Sequence, residues 1–215
     1  MEERRILLYT PKDGIKLRKL HKGDLHSLLK LKEESWWGTH STLIVNIEDQ
    51  LKWYESIGHN QLYMIALNSE DKAAGIACYT DIDWFSRSLN ISGSIYKEFR
   101  RMDVVKPSFS CGLDFAFEVL NMQRVGAEVL ETHSAAQHLE IGHLGFKVEG
   151  RRRRAVYKAG RYYDSILLGL LREEWESQDR VKSYAGCCNA NFDHEKAQEC
   201  IQRFNRVMGV AAIDE

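Results

Sequence analysis

The segment spanning residues 144–175 constrains the fold of this chain more than any other part of the sequence. An apolar stretch is stopped by Gly145, four successive arginines follow at 151–154, and a Lys-Ala-Gly turn at 158–160 leads into a second apolar run. Glycine at a helix end or a tight turn supplies the left-handed backbone that other residues avoid. The segment therefore predicts the end of a helix followed by two strands joined by a short turn.

Upstream of this segment, apolar residues repeat with a period of two in some stretches and with helical spacing in others. These patterns predict strands at 15–20, 62–67, 73–79, 89–96 and 124–130, and helices at 24–32, 47–54, 109–120 and 134–144. Ser134 is predicted to cap the last of these helices. The order of elements is strand, two helices, three strands, helix, strand, helix and two strands. That order predicts an α/β fold, a mixed sheet with helices on both faces.

Composition excludes several function classes. The 215 residues suit one domain with an appendage, and 30 basic against 31 acidic side chains give no global attraction to nucleic acid or to an anionic membrane. The odd number and irregular spacing of the cysteines predict reduced thiols in the cytosol. They are Cys78, Cys111, Cys187, Cys188 and Cys200. Because no signal peptide or membrane-spanning stretch is recognisable, we expect a cytoplasmic protein.

Several motifs resemble the GNAT superfamily of acyltransferases. They are Leu144-Gly-Phe-Lys-Val-Glu-Gly150, Gly160-Arg-Tyr-Tyr-Asp164, Glu173-Glu-Trp175, Glu98-Phe-Arg100 and Phe117. The resemblance covers roughly residues 12–175 and is strongest to the branch with ribosomal-protein N-terminal acetyltransferases and amino-sugar acetyltransferases. It implies a GNAT fold, with a central twisted mixed sheet of about seven strands. It also implies an enzyme that transfers an acyl group, most simply acetyl, from coenzyme A to a primary amine without a metal.

The coenzyme loop departs from the family pattern. Residues 98–103 fall where relatives carry an aromatic-Arg-Gly-x-Gly run, but Arg101 and Asp103 replace the glycines. Arginines can bind phosphate directly, whereas Asp103 repels it. The sequence therefore allows an acyl-CoA site of altered geometry, a different donor, or a lost activity. The resemblance implies coenzyme contacts from Ile95, Tyr96, Arg100, Arg101, Met102, Asp103, Val104, Lys106 and Ser134.

Acyl transfer to an amine needs a base, a donor to the thioester carbonyl and an acid for the departing thiolate. The resemblance implies that the carbonyl donor is the backbone N–H of Ile95 or Tyr96. Asp81 and Asp83 are the preferred bases, with Glu98 and His133 as alternatives and turn capping as the competing interpretation of the two aspartates. The candidate acid is Tyr96. The tyrosine that many relatives use for this step would fall at Ile141, so the role is vacant or filled elsewhere.

Two further regions are candidates for acceptor binding. Trp36, Trp37 and His40 lie in a loop that shapes the acceptor pocket in relatives, although the tryptophans would equally close a core. If the arginine run continues a strand, Arg152 and Arg154 share one face. They could then hold a phosphorylated acceptor, and the competing interpretation is a solvated, salt-bridged strand.

These observations predict a GNAT domain at 1–175, a linker at 176–192 and a C-terminal amphipathic helix at 193–209. Such a helix would dock on its own domain or on a second subunit, so a homodimer is expected. The preferred acceptor is a nucleotide-linked amino sugar, and the alternative is a protein N-terminus. A non-catalytic GNAT-like binding module is the alternative of another class. Cys187, Cys188, His194 and Cys200 match no structural zinc spacing.

Overall fold

The computed structural model of the chain describes residues 7–9, 14–40 and 46–178. Within these residues the strands are β1 (Leu7–Tyr9), β2 (Lys16–Lys19), β3 (Leu62–Leu67), β4 (Ala73–Asp83), β5 (Ser88–Ile95), β6 (Arg124–Leu130), β7 (Lys147–Lys158) and β8 (Arg161–Leu171). The α-helices are α1 (Leu25–Ser35), α2 (Ile47–Glu55), α3 (Met102–Asp114), α4 (Ser134–Gln137) and α5 (Arg172–Glu176). The helix predicted at 193–209 lies outside the described residues, as does most of the predicted linker.

The chain divides into two compact units, 1–36 with 41–125, and 37–40 with 126–215. In the described part of the first unit, the strands follow the order β1-β2-β3-β4-β5, and each neighbouring pair is antiparallel. In the second unit, β6, β8 and β7 follow one another, and β7 and β8 form an antiparallel hairpin. The predicted α/β class is confirmed.

Side chains along β4 point alternately to the two faces of the sheet, and each face packs against a helix of the first unit. Ile76 points into an apolar cluster with Leu28 and Leu31 of α1. Tyr79 points to the opposite face, where its hydroxyl donates to the Gly112 carbonyl of α3 at 3.0 Å. The two faces are therefore covered by α1 on one side and α3 on the other, as the order of elements predicted.

The second unit contains residues 144–175, the segment from which a helix end and a pair of strands were predicted. Gly145 has a φ of +77°, which confirms that a left-handed residue ends the preceding helix. Ala159 and Gly160 have positive φ at the tip of the β7–β8 hairpin. Along β8, Ile166, Leu168 and Leu170 alternate into the core. The predicted pair of strands is confirmed.

Two local predictions are wrong. Helix α3 begins at Met102, well before the predicted start at 109, and it contains Pro107. Ser134 does not cap α4, because the helix begins at Ser134 itself and His133 occupies the cap position without a side-chain cap bond. Among the described residues, no helix is long and apolar enough to cross a bilayer.

Candidate active site

The loop between β5 and α3 borders a cleft of ≈ 390 Å³ in the first unit. Its lining contains two cations, Lys72 and Arg101, and three acids, Glu70, Glu98 and Asp103. The remaining lining residues are Gly14, Ile15, Asn68, Ser69, Phe99 and Val104. The acids thus outnumber the cations by one, so an anion could bind here only where backbone groups attract it.

The N-terminus of α3 supplies such groups. Arg101, at the cap position, is extended, and its carbonyl accepts from the amides of Val104 and Val105 at 2.9 and 2.8 Å. The amides of Met102 and Asp103 therefore point out of the helix end, where the helix dipole favours negative charge. This arrangement fits a phosphate group, as the sequence resemblance implies, even though every residue from 94 to 111 carries a side chain.

Arg100 binds the protein instead of facing the helix end. Its Nε donates to the Ile95 carbonyl at 2.9 Å, and its Nη2 donates to the Glu34 carbonyl at 3.1 Å. These bonds tie the end of β5 to α1. The predicted phosphate contact of Arg100 stays untested, but it would require these two bonds to break.

Arg101 and Asp103 pair with each other at the mouth of the cleft. Arg101 Nη2 lies 3.2 Å from Asp103 Oδ2, and both side chains are more than half exposed. An exposed pair of this kind is weak. Of the other residues predicted to contact the coenzyme, Val104 is buried, Lys106 is half-buried and Ser134 is exposed.

Replacing the acid in this cleft is expected to improve coenzyme binding. Asp103→Asn should tighten acetyl-CoA binding by about 1 kcal/mol, or about five-fold in Kd, because it removes a negative charge at the helix end and releases Arg101. Titration calorimetry at low salt measures the change. Asp49→Asn, in the first turn of α2, is the matched control and should leave the Kd unchanged. Weaker binding by Asp103→Asn would place the pyrophosphate elsewhere.

Hydrogen bonding along β5 distinguishes the backbone amides of Ile95 and Tyr96, the two candidate donors to the thioester carbonyl. The Tyr96 amide donates to the Ala74 carbonyl of β4 at 2.9 Å, so the sheet already uses it. Amides alternate from one strand edge to the other, and the Ile95 amide therefore faces away from β4. Of the two amides, that of Ile95 is the better candidate donor to a thioester carbonyl.

The phenol of Tyr96 is buried in the apolar cluster of the first unit, beside Leu28 and Leu31. Burial raises its pKa, and a hydrogen bond with Ser27 partly opposes that shift. A proton donor must reach the departing sulfur, and a side chain packed in this way is poorly placed to do so. Its predicted role as an acid stays untested.

The two predicted aspartate bases occupy an irregular strand end. A register shift between Thr80 and Asp83 breaks the alternation that was expected to align them. Hydrogen bonds, first from the Ser86 hydroxyl and then from the Ser86 and Phe85 amides, hold the pKa of Asp83 below its usual range. Asp81 has a φ of 51° and accepts from Asn90 at 2.9 Å. Both exposed side chains therefore stabilise the hairpin end.

Glu98, another candidate base, is exposed on the turn that follows β5. Its carboxylate lies 3.5 Å from Lys30 Nζ. A backbone hydrogen bond to its own amide is the largest cause of its lowered pKa, and the charge of Lys30 adds to it. A carboxylate with a lowered pKa is a weak base, although its role stays untested.

His133 lies in the second unit with a defined partner. Its Nδ1 lies 3.1 Å from the Gly38 carbonyl, which can only accept a hydrogen bond. Nδ1 is therefore the donor in this bond, which fixes the orientation of the ring. A Cβ at Gly38 would lie 2.6 Å from His133 Cε1, so only glycine permits this close approach.

His40, predicted to bind the acceptor, belongs to a polar cluster in the second unit. Its Nε2 lies 2.7 Å from the hydroxyl of buried Ser165 and 3.6 Å from Glu128 Oε1. Burial is the largest cause of its lowered pKa; the charges of Lys158 and Arg152 add to the shift, and Glu128 opposes it. His40 is therefore neutral near pH 7 and can serve as a hydrogen-bonding group for a ligand.

Of the paired tryptophans, Trp37 is 62% exposed, whereas Trp36 is half-buried. Trp37 therefore does not close a core. Its exposed ring remains a candidate surface for a sugar or a base, as the sequence predicted, and that role is untested.

Two of the four arginines in the run form salt bridges within the second unit. Arg151 contacts Asp164 at 2.6 Å and Glu131 at 2.8 Å, and Arg152 contacts Glu128 at 3.0 Å. The strand alternation fails beyond Arg152, where the register shifts and Arg154 adopts a φ of 49°. The expectation that Arg152 and Arg154 share a face by simple alternation is therefore wrong.

One titratable residue was not singled out from the sequence. Glu140 lies in the π-helical turn His138–His143 that continues α4. Its Oε2 is buried and has no hydrogen-bond partner among the described residues. Burial raises the pKa of this carboxyl to about 8. The sequence did contain a signal for this buried acid. Glu140 lies between apolar Leu139 and Ile141, in a helix that ends at a Gly-Phe pair.

Comparison with known proteins gives the family. The family model described as the acetyltransferase (GNAT) domain matches residues 9–167. The chain is 27% identical over 122 residues to YokL of Bacillus subtilis, a prophage-derived uncharacterized N-acetyltransferase, with 57% of this chain and 68% of that protein covered. It is 30% identical over 106 residues to YdaF of the same organism, a proposed ribosomal N-acetyltransferase, with 48% of this chain and 56% of that protein covered.

Solved structures show the same fold. A spermidine N-acetyltransferase from Vibrio cholerae, in complex with CoA and spermine, superposes with a TM-score of 0.72 at 19% identity, covering 77% of this chain and 100% of that one. A dodecameric structure of spermidine N-acetyltransferase from the same organism gives a TM-score of 0.67 at 20% identity, with 78% and 99% covered. At such identities the likeness establishes the GNAT fold alone.

Proposed function

Because the chain belongs to the GNAT acetyltransferase family, we propose that it acetylates the primary amine of a small molecule, in the first place a nucleotide-linked amino sugar. It is an acetyl-CoA-dependent N-acyltransferase. The observation that carries the donor assignment is the outward-pointing helix end of α3, where the amides of Met102 and Asp103 can hold a pyrophosphate.

Three salt-bridged carboxylates of the second unit support an acceptor that carries negative charge. Glu128, Glu131 and Asp164 each have an arginine within 3.0 Å. A polycation is attracted to carboxylates that have no cationic partner, whereas each of these three carboxylates already pairs with an arginine. Arg154 exposes its side chain and suits a phosphate group instead.

For the chemistry we propose direct transfer in a ternary complex. Among the candidate bases, His133 has a ring that is held in a defined orientation, because its Nδ1 donates to the Gly38 carbonyl. The Ile95 amide donates to the thioester carbonyl as negative charge develops there. Asp83, Asp81 and Glu98 remain the alternative bases.

The base assignment predicts a large loss on substitution of His133. His133→Asn can keep a donor toward the Gly38 carbonyl but has no basic nitrogen, so kcat should fall about 100-fold with little change in acetyl-CoA affinity. Asp83→Asn is the paired variant and should retain most of the turnover. The reverse result, a large loss for Asp83→Asn and none for His133→Asn, would assign the base to Asp83.

The acceptor is tested by mass spectrometry of reaction mixtures. Acetyl-CoA is offered with nucleotide-linked amino sugars, with peptides that have a free N-terminus, and with spermidine. We expect the mass gain of one acetyl group on the amino sugar and much slower transfer to the other two. Fastest transfer to the peptide would favour the protein N-terminus, the acceptor class suggested by the similarity to YdaF. Fastest transfer to spermidine would contradict the preference for an acceptor with negative charge.

A cytosolic location and a homodimer remain part of the proposal. The number and spacing of the cysteines support the first, and neither of the described cysteines, Cys78 and Cys111, forms a disulfide within the described residues. The helix predicted at 193–209 supports the second through its apolar face. Light scattering of the purified full chain tests the dimer directly.

A further inference from the structure

Two buried polar side chains of the β7–β8 hairpin reach the same short segment, residues 37–40, which lies outside the strands and α-helices. Lys158 of β7 donates from Nζ to the Thr39 carbonyl, and the hydroxyl of Ser165 on β8 lies 2.7 Å from Nε2 of His40. Both side chains belong to the buried interior of the second unit. Burying an ammonium or a hydroxyl group is costly unless it is hydrogen-bonded. Residues 37–40 therefore supply partners that two buried polar groups require.

A third side chain holds the residue that precedes Thr39. Nδ1 of His133 donates to the Gly38 carbonyl at 3.1 Å. The imidazole packs so closely that a Cβ at Gly38 would lie 2.6 Å from its Cε1. Residues 38, 39 and 40 are thus each held by a different side chain. A segment held at three successive residues has lost the freedom that a surface loop normally keeps.

The fastened segment carries groups that can bind a ligand. The exposed indole of Trp37 offers an apolar face on which a sugar or base can stack. Nε2 of His40 lies 3.6 Å from Glu128, and the same carboxylate holds the exposed Arg152 at 3.0 Å. The ring nitrogen of His40 and a guanidinium that suits phosphate therefore lie on either side of one carboxylate. A ring and a phosphate are the recognisable parts of a nucleotide-linked amino sugar.

We propose that Lys158 and Ser165 are positioning residues for the acceptor, because they fasten residues 37–40 and so hold Trp37 and His40 in a fixed arrangement. This role rests on the proposed acetyltransferase function. Since the segment is ordered before the acceptor arrives, binding of the acceptor does not bear the entropy cost of ordering it. Loss of either anchor should therefore weaken acceptor binding. Acetyl-CoA binding should not change, because neither side chain belongs to the helix end of α3.

The test uses Lys158→Met and Ser165→Ala, which remove the anchoring groups with little change in volume. With a nucleotide-linked amino sugar as acceptor, the acceptor KM should rise about ten-fold in each variant, while kcat changes by less than about three-fold. The calorimetric Kd for acetyl-CoA should stay unchanged. Amide hydrogen exchange in a peptide that covers residues 37–40 should become faster.

Lys147→Met is the matched control, because it removes a lysine from the same strand that pairs with Glu174 in an exposed position. It should behave as the wild type in kinetics, calorimetry and hydrogen exchange. If one of the two test variants does not fold, the other still gives the result, because each removes one anchor of the same segment.

Hydrogen exchange and kinetics separate the ways in which the proposal can fail. Exchange at the wild-type rate in the folded variants would show that these side chains do not fasten the segment, and the proposal would be wrong. Faster exchange with an unchanged acceptor KM would contradict it too, because the segment would then not bind the acceptor. If the wild type acetylates no amine at all, the proposed function is wrong, and the positioning role falls with it.

Discussion

Arg18→Ala is expected to lower the free energy of unfolding by about 3–5 kcal/mol at pH 7, because it leaves a buried carboxylate without its partner. Arg18 binds Asp24 through two 2.7 Å hydrogen bonds, Nη1 to Oδ2 and Nη2 to Oδ1. Both side chains are less than a tenth exposed. The pair joins β2 to the turn that begins α1, so its loss should loosen that helix.

Denaturant unfolding measures this effect, and the first unit offers a matched control. Lys16 on the same strand pairs with Asp71 in an exposed position, and Lys16→Ala should cost at most about 1 kcal/mol. The double variant Arg18→Met with Asp24→Leu should recover much of the stability, because no buried charge remains. A loss below about 1 kcal/mol for Arg18→Ala would show that solvent reaches the pair.

Glu140→Gln is expected to make the protein more stable than the wild type at high pH and to change little at low pH. The carboxyl has a pKa near 4.5 in the unfolded chain and about 8 in the folded one. The stability that it contributes is fully present below the unfolded pKa and is lost as pH rises through the folded pKa. Because each tenfold difference between the two acid dissociation constants is worth about 1.4 kcal/mol, the loss amounts to several kcal/mol at pH 9.

The measurement is the unfolding free energy of variant and wild type at pH 5 and pH 9, with Glu55→Gln, an exposed acid at the end of α2, as control. The difference between Glu140→Gln and the wild type should grow with pH, whereas that of the control should not. An equal difference at both pH values would mean that Glu140 ionises normally in the folded protein.

Sequence periodicity located the strands well where apolar residues form compact runs. The observed bounds Leu62–Leu67 and Arg124–Leu130 coincide with the predicted ones. A compact apolar run indicates a buried strand, so the local sequence is enough to locate such a strand. The start of α3 was missed, because residues 102–108 contain Pro107 and no clear apolar face.

Features that depend on contacts distant in sequence could not be predicted. Arg100 was expected to meet phosphate, but its guanidinium bonds the carbonyls of Ile95 and Glu34, and nothing near Arg100 in the sequence indicates α1 as its partner. Arg151 pairs with Glu131 and Asp164, which agrees with the salt-bridged strand given as the competing interpretation, but the sequence did not identify these two partners. The resemblance to a family identified the chemistry, whereas packing determines which charged groups remain available for it.

Glu140 lies in a π-helical turn that the sequence did not predict. Residue spacing in a sequence is read with 3.6 residues per turn, and a single wider turn moves the following positions by one residue. Local sequence carries no dependable signal for such a turn. The resemblance to the family placed the thiolate-protonating tyrosine at Ile141, and the carboxyl that the structure buries belongs to the residue before it.

The central claim is that this chain binds acetyl-CoA as its acyl donor, and calorimetric titration of the full chain with acetyl-CoA tests it most directly. We predict saturable binding with one site per chain and a Kd in the micromolar range, which weakens with added salt because the contact is with phosphate. Absence of detectable heat at high micromolar acetyl-CoA would contradict this claim.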